Sequence, residues 1–352
     1  MKLPKISPLD WLLVFFPVAI ALRVLAPERP VLVFGAACVA VVPLAGLMGR
    51  ATEVLAARVG TALGGFLSAA LGNAAELILA LAALRAGELE VVKASVTGSI
   101  IGNLLLVFGA AAVAGGWRRK KQSFNRTAAS AGNATLFLAA VALVLPALQH
   151  HGADPHPETR VPTSVAIAVV LLVLYGLSLL FTLRTHAHLY AAEAEAEHPQ
   201  HWPVRTAALV LVGATVAVAV ASEILVASLE GASHALGWNR VFVGVIVVAI
   251  VGNAAEHSTA VLMALRDKMD LALNIAVESS KQVALFVAPL LVLTGLLLGQ
   301  PMDLVFSPLE VMAVAIATGG VTLVALDGES NWLEGAMLLA VYAVLGVTFY
   351  YG

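Results

Sequence analysis

Two copies of one short string carry the chemistry of this chain: Gly72-Asn73-Ala74-Ala75-Glu76 recurs as Gly252-Asn253-Ala254-Ala255-Glu256. Both glutamates fall inside long apolar runs. A carboxylate at the centre of a bilayer costs on the order of 2.5 kcal/mol or more even on the permissive insertion scale, so each needs a purpose. Gly favours bending and Asn can bond to its own backbone, so each Gly-Asn is expected to interrupt its helix and free carbonyl oxygens beside the carboxylate. Carboxylates, carbonyls and amide oxygens together form an all-oxygen cage, which hard divalent cations such as Ca²⁺ prefer. Further oxygens are offered by Ser99 and Asn103, i,i+4 on one helix face, and by Ser279 and Gln282 in the second half. Small polar residues also glue membrane helices together, at under about 1 kcal/mol each. For Ser99 and Ser279 the matched positions favour the site. Protons enter through the same groups, because two desolvated carboxylates repel when both are ionised, and cation and protons then compete for them. In an alternating-access protein such competition amounts to antiport.

The elements that must position these residues are membrane spans. Of 352 residues, 60% are hydrophobic and 12% charged, against roughly 25% charged in an average soluble protein. That excludes an ordinary soluble enzyme. A formal net charge of -2 leaves no basic field for nucleic acid, and a single cysteine, Cys38, excludes a disulfide framework. The fold class expected is all-α: a polytopic membrane protein with eleven spans, near residues 10–26, 30–57, 60–85, 89–115, 127–148, 161–185, 203–229, 239–265, 269–299, 305–326 and 331–351. With the N-terminus in the cytosol, the inner loops and flanks hold Lys2, Lys5, Arg50, Arg58, Arg118, Arg119, Lys120, Lys121, Arg126, Arg184, Arg205, Arg266 and Lys268. The outer ones hold only Arg23, Arg29, Arg85, Lys93, Arg160 and Arg240. Basic residues resist translocation, so this bias places the N-terminus inside and the C-terminus outside. All five tryptophans fall at expected span ends, where an amphipathic ring is most stable.

The offset of 180 between the two strings runs without a gap from Gly64/Gly244 through Ser99/Ser279 to Val107/Val287, and Ala51-Thr52-Glu53 echoes Ala221-Ser222-Glu223 at offset 170. About ten residues are therefore inserted around Gly231 to Trp238. Spans two to six match spans seven to eleven, and because five is odd the second copy is inverted. Glu76 and Glu256 should then face each other near the bilayer midplane. The organisation expected is a first helix over 1–29, repeat one over 30–185, a cytosolic acidic linker over 186–202 and repeat two over 203–352.

Other residues have two readings. Glu278 and Lys281, i,i+3 on one helix, make an internal ion pair, or Lys281 stands in for a proton or second cation at the edge of the site. Counting Glu76, Glu256, Glu278 and Lys281 gives -2, which one divalent ion would neutralise. His257 is a proton relay or a packing residue. Glu53 and Glu223 lie nearer span ends. His150, His151, Asp154, His156 and Glu158 form a solvated outer loop rather than a metal site, because no zinc-type spacing holds them together. Glu193, Glu195, Glu197, His198 and His201 read as a soluble linker that could gather cations. The chain lacks His-Glu-x-x-His and Gly-x-Ser-x-Gly, so neither an enzyme nor a resident cofactor is expected.

The duplicated Gly-Asn-Ala-Ala-Glu strings resemble the paired signature of the calcium/proton exchangers, the cation/proton branch of the calcium/cation antiporter superfamily. The resemblance extends to Ala51-Thr52-Glu53, Ser222-Glu223, Gly98-Ser99-Ile100-Ile101, Phe124-Asn125 and the run Asp327 to Gly335. It implies one plus five plus five spans, Ca²⁺ and H⁺ as substrates, and Glu76 and Glu256 as the exchanging carboxylates, assisted by carbonyls near Gly72-Asn73 and Gly252-Asn253. Glu53 and Glu223 would line the access routes. Where the family usually reads Gly-Ser-Ser, an apolar residue and Gln, this chain has Glu278-Ser279-Ser280-Lys281-Gln282. Sodium-coupled exchange, or another cation such as Mn²⁺ or K⁺, is the alternative.

Overall fold

A computed structural model describes residues 8–59, 64, 67–68, 70–150, 156–186 and 202–352. The acidic segment Glu193 to His201, together with His151 and Asp154, lies outside the described residues. In hydrocarbon every backbone polar group must be satisfied within its own segment, so apolar runs of this length fold as helices. Among the described residues these are α1 (Phe15–Leu25), α2 (Pro30–Ala56), α3 (Ala74–Arg85), α4 (Leu89–Gly116), α5 (Arg126–Gln149) and α6 (Pro157–Thr185). They continue with α7 (Val204–Leu236), α8 (Arg240–Leu265), α9 (Met269–Leu297), α10 (Pro308–Val324) and α11 (Trp332–Tyr351). Among the described residues eight helices are long and apolar enough to cross a membrane; α10, with 17 residues, is apolar but shorter. The ten inserted residues fall mostly in helix: α7 runs to Leu236, where an offset of 170 from the end of α2 would stop it near Val226.

The chain divides into two compact units, each drawing on both halves of the sequence. The first comprises Met1–Glu88, Ser178–Asn239 and Val251–Ala255; the second comprises Leu89–Leu177, Arg240–Ile250 and Glu256–Gly352. In the first unit, α2 and α7 pack along their lengths. Small residues line both helices, Ala37, Ala40 and Ala51 on one and Ala207, Ala214 and Ala221 on the other, which lets the backbones approach closely. Trp202, just before α7, packs on Ala51 and Val54. Arg50 of α2 holds Asp10 at 2.5 Å.

In the second unit, α4 crosses the first turns of α8 backbone to backbone. A Cβ on Gly98 would fall 2.3 Å from the Val245 carbonyl oxygen, and one on Gly244 would fall 2.5 Å from the Ala94 Cβ. The loops are fastened too. Strand β1 (Gln122–Ser123) pairs antiparallel with β2 (Glu329–Ser330), and the Phe124 amide donates to the Gly328 carbonyl at 2.9 Å. Phe124-Asn125 and the run beginning at Asp327, two separate strings in the sequence, thus form one clip. Arg119 reaches Asp267 at 3.0 Å and Lys121 reaches Glu329 at 2.6 Å. At the other end of α4, Lys93 holds Asp303 at 2.8 Å. Each of these pairs joins loops or helix ends that an alternating count of spans puts on one side of the membrane.

Candidate functional site

Glu76 is built by the break that its sequence predicts. Helix α3 starts directly after a turn at Gly72 and Asn73; Asn73 is its N-cap, at φ -96°, ψ 22°, and Glu76 lies in the first turn. The positive end of the α3 dipole therefore meets the carboxylate, an arrangement worth about 0.3–1 kcal/mol to a charged group. Glu76 is 7% exposed. Its Oε1 accepts a hydrogen bond from Asn253 Nδ2 at 3.3 Å, so the carboxylate of the first copy meets the Gly-Asn of the second within one unit. Gly252 lies against this carboxylate: a Cβ there would make ordinary contact, 3.7 Å from the Cβ and Cγ of Glu76. Asn73 is also buried, and its Nδ2 has no hydrogen-bond partner among the described residues. Glu53 and Glu223, in the same unit, are exposed; Glu223 lies 3.9 Å from Arg85, a loose pair with both side chains about two-thirds exposed.

The second unit holds Glu256, His257, Ser99, Asn103, Glu278, Ser279, Lys281 and Gln282. Here the expected break at Gly252-Asn253 is corrected, because α8 is a continuous α-helix from Ala249 to Leu265. The irregularity instead lies one turn upstream, as a π-helical stretch over Val243–Val248. A Gly in a helix interior costs about 1 kcal/mol, which packing readily overrides. The carbonyls beside Glu256 therefore remain in the helical ladder, and Glu256 sits half-buried in mid-helix rather than at a helix start.

The polar positions of α4 and α9 do converge. Asn103 Nδ2 donates to Ser279 Oγ at 2.8 Å, with Ser99, Asn103 and Ser279 all buried. The Oδ1 of Asn103 is buried with no hydrogen-bond partner among the described residues, an oxygen available to a ligand. Both helices carry π turns here, at Gly102–Val107 and Val283–Val287, at positions that the offset of 180 matches. Such insertions often mark functional sites, and nothing in the residue types announced them. Gln282 and His257 are half-buried.

Lys281 and Glu278 form the internal ion pair. The lysine side chain is 6% exposed and that of Glu278 is 39% exposed, so the ammonium is the buried member. A second buried carboxylate went unnoticed in the sequence: Glu310 of α10 accepts from Thr97 Oγ1 at 2.9 Å and from the Ser307 amide at 2.9 Å. The readable signal was Ser307-x-x-Glu310, a capping box in which Ser307 Oγ in turn accepts from the Glu310 amide. In the loop before α6, His156 pairs with Glu158 at 3.2 Å, and the carbonyl of buried His150 accepts from Arg160. Among the described residues no group of three or more His, Cys, Asp and Glu is placed to hold a metal ion.

Known proteins resemble this chain over nearly its whole length. The family described as "Sodium/calcium exchanger protein" matches residues 29–184 and 206–351. The chain is 45% identical to the Ca(2+)/H(+) antiporter of Aphanothece halophytica, over 97% of this chain and 95% of that protein. It is 47% identical to the Ca(2+)/H(+) antiporter of a Synechocystis species, over 97% and 96% respectively. The solved structure of native YfkE matches with a TM-score of 0.83 at 36% identity, covering 97% of this chain and all of that one. The chain is a membrane protein of the sodium/calcium exchanger family, and belongs to its calcium/proton exchanger branch.

Proposed function

We propose that this protein is a secondary active transporter that exports Ca²⁺ in exchange for H⁺ by alternating access, with Glu76 and Glu256 giving up protons as they take the cation. The observation that carries this reading is the buried Glu76 carboxylate at the start of α3, accepting from Asn253 of the second motif copy. A desolvated carboxylate facing a helix start and an amide either protonates or captures a cation, and a divalent ion and protons are alternatives there. Asn73, Asn103 with its unbonded oxygen, Ser99, Ser279 and Gln282 supply further oxygens; Glu53 and Glu223, exposed as access groups should be, line the routes. The relatives named above as Ca²⁺/H⁺ antiporters support the substrate pair and a transporter.

The architecture proposed is eleven spans, one plus two inverted repeats of five over 30–185 and 203–352 joined by a cytosolic linker, with the N-terminus inside and the C-terminus outside. Support comes from ion pairs such as Arg50–Asp10, Arg119–Asp267 and Lys121–Glu329, which all join ends counted as cytosolic. The exchange is two protons per Ca²⁺, one for each glutamate. Exporting Ca²⁺ against a 10⁴-fold gradient costs about 5.5 kcal/mol, and two protons moving down a one-unit pH gradient supply about 2.7 kcal/mol. Two protons alone therefore sustain a Ca²⁺ ratio of about 100 per pH unit. The test is ⁴⁵Ca uptake into sodium-free proteoliposomes under an imposed pH gradient. Uptake that requires sodium would replace proton exchange with sodium coupling.

A further inference from the structure

The ends of α4 and α11 enclose an open groove of about 580 Å³, lined by Trp117, Arg118, Arg119, Lys120, Trp332 and Leu333, together with the N-cap Asn331. We propose that this groove binds the phosphate-bearing headgroup of an anionic phospholipid.

The charge of the groove is not consumed by the protein. Arg119 is held by the Gly115 carbonyl at 2.6 Å and by Asp267, and Lys121 by Glu329. Arg118 and Lys120 are exposed and form no ion pair among the described residues. Among the described residues no acidic side chain lines the groove; Asp267 and Glu329 are paired as above, and Glu334 accepts from the Asn331 amide in the capping box of α11, a bond that leaves its negative charge in place. That box also fills the start of α11, because Asn331 accepts from the Leu333 and Glu334 amides. The attraction for an anion therefore comes from the two free side chains.

The other face of the groove is apolar. Trp117 and Trp332 stack edge to face, with centroids 5.8 Å apart at 69°. Trp117 is 69% exposed, Trp332 44% and Leu333 52%. Both α4 and α11 are long and apolar enough to cross a bilayer, and the groove sits where they end. Indole rings favour that depth, the level of headgroup and glycerol. A ligand with a phosphate at one end and acyl chains at the other matches cations flanked by exposed Trp and Leu; free phosphate would use only half of the surface. A basic pair beside a membrane surface also attracts anionic lipid through the surface potential. The clip of β1 and β2 and the Arg119–Asp267 pair hold the groove between loops of one unit, so an occupant would bear on the mobility of α4, the helix that carries Ser99 and Asn103.

The test uses the full-length purified protein, delipidated, with native mass spectrometry and thermal unfolding in mixed micelles. Phosphatidylglycerol is expected to remain as a bound adduct and to raise the midpoint, whereas phosphatidylcholine is not. In Arg118→Gln/Lys120→Gln the apparent affinity for phosphatidylglycerol is expected to fall roughly 30-fold, about fivefold per charge. Arg205→Gln, another exposed arginine, should bind as wild type does. Arg118→Lys/Lys120→Arg should restore binding and provides a folded comparison if the neutral variant is unstable. Wild-type affinity in the neutral variant overturns the proposal. So does equal stabilisation by millimolar inorganic phosphate, which would make the groove a site for the free anion.

Discussion

Lys281 is the residue most able to change what this exchanger does while leaving its fold intact. Its ammonium is buried against Glu278 and occupies Glu278 as a counter-charge. Replacing it as Lys281→Gln keeps a polar side chain of similar length and leaves Glu278 without that ammonium. Breaking a fully buried pair costs about 3–5 kcal/mol. With 39% of the Glu278 side chain exposed, the penalty should lie below that range. Released from that ammonium, Glu278 is expected to join Glu76 and Glu256 as a third exchanging carboxylate. Exchange would then move from two protons per Ca²⁺, which is electroneutral, to three, which carries one net charge. One charge crossing 100 mV is worth about 2.3 kcal/mol, so the limiting Ca²⁺ ratio should change by about 40- to 50-fold per 100 mV in the variant and hardly at all in wild type. Proteoliposomes with a fixed pH gradient and a potential set by a potassium gradient and valinomycin measure this directly. Adding Glu278→Gln to Lys281→Gln should abolish the dependence on potential. If wild type responds to potential, or if Lys281→Gln does not, the assigned role of the pair is wrong.

Three further outcomes follow from the geometry. Gly98→Ala places a Cβ 2.3 Å from the Val245 carbonyl oxygen and should destabilise the purified protein by about 1–3 kcal/mol in thermal unfolding, whereas Gly35→Ala, with open space around it, should be neutral or slightly stabilising. Asn103→Ala and Ser279→Ala should be coupled by about 0.5–1.5 kcal/mol in a double-mutant cycle of stability; additive effects would remove their 2.8 Å hydrogen bond from consideration. Gly252→Ala should retain Ca²⁺ transport because its Cβ makes ordinary contact with Glu76, while Gly252→Val should lose most of it by displacing that side chain.

Much of the site was legible because it is duplicated. The offset of 180 paired Gly72-Asn73 with Gly252-Asn253 and Glu76 with Glu256, and the carboxylate of the first copy meets Asn253 of the second at 3.3 Å. The helix break was legible in one copy only. Gly-Asn lowers the cost of a break but does not require one; at Gly72-Asn73 the chain turns, and at Gly252-Asn253 the ladder continues while the irregularity moves to Val243–Val248. The π turns of α4 and α9 lie in ordinary apolar sequence, since one extra residue in a helical ladder depends on what packs around it. The buried Glu310 was legible through its capping box, but its bond to Thr97, more than two hundred residues away in sequence, was not. Ion-pair choice was legible for Lys281 and Glu278 because a three-residue spacing brings them to one helix face. The pairing of Arg119 with Asp267 depends on how the loops meet and leaves no such trace.

The most direct test of exchange through the two glutamates is to record ⁴⁵Ca uptake and proton movement together, in sodium-free vesicles under a pH gradient, for wild type, Glu76→Gln and Glu256→Gln. Wild type should move two protons for each Ca²⁺, and each variant, folded and inserted, should lose both fluxes together by at least a hundredfold, about 2.7 kcal/mol. Coupled flux that survives either substitution would contradict the assignment.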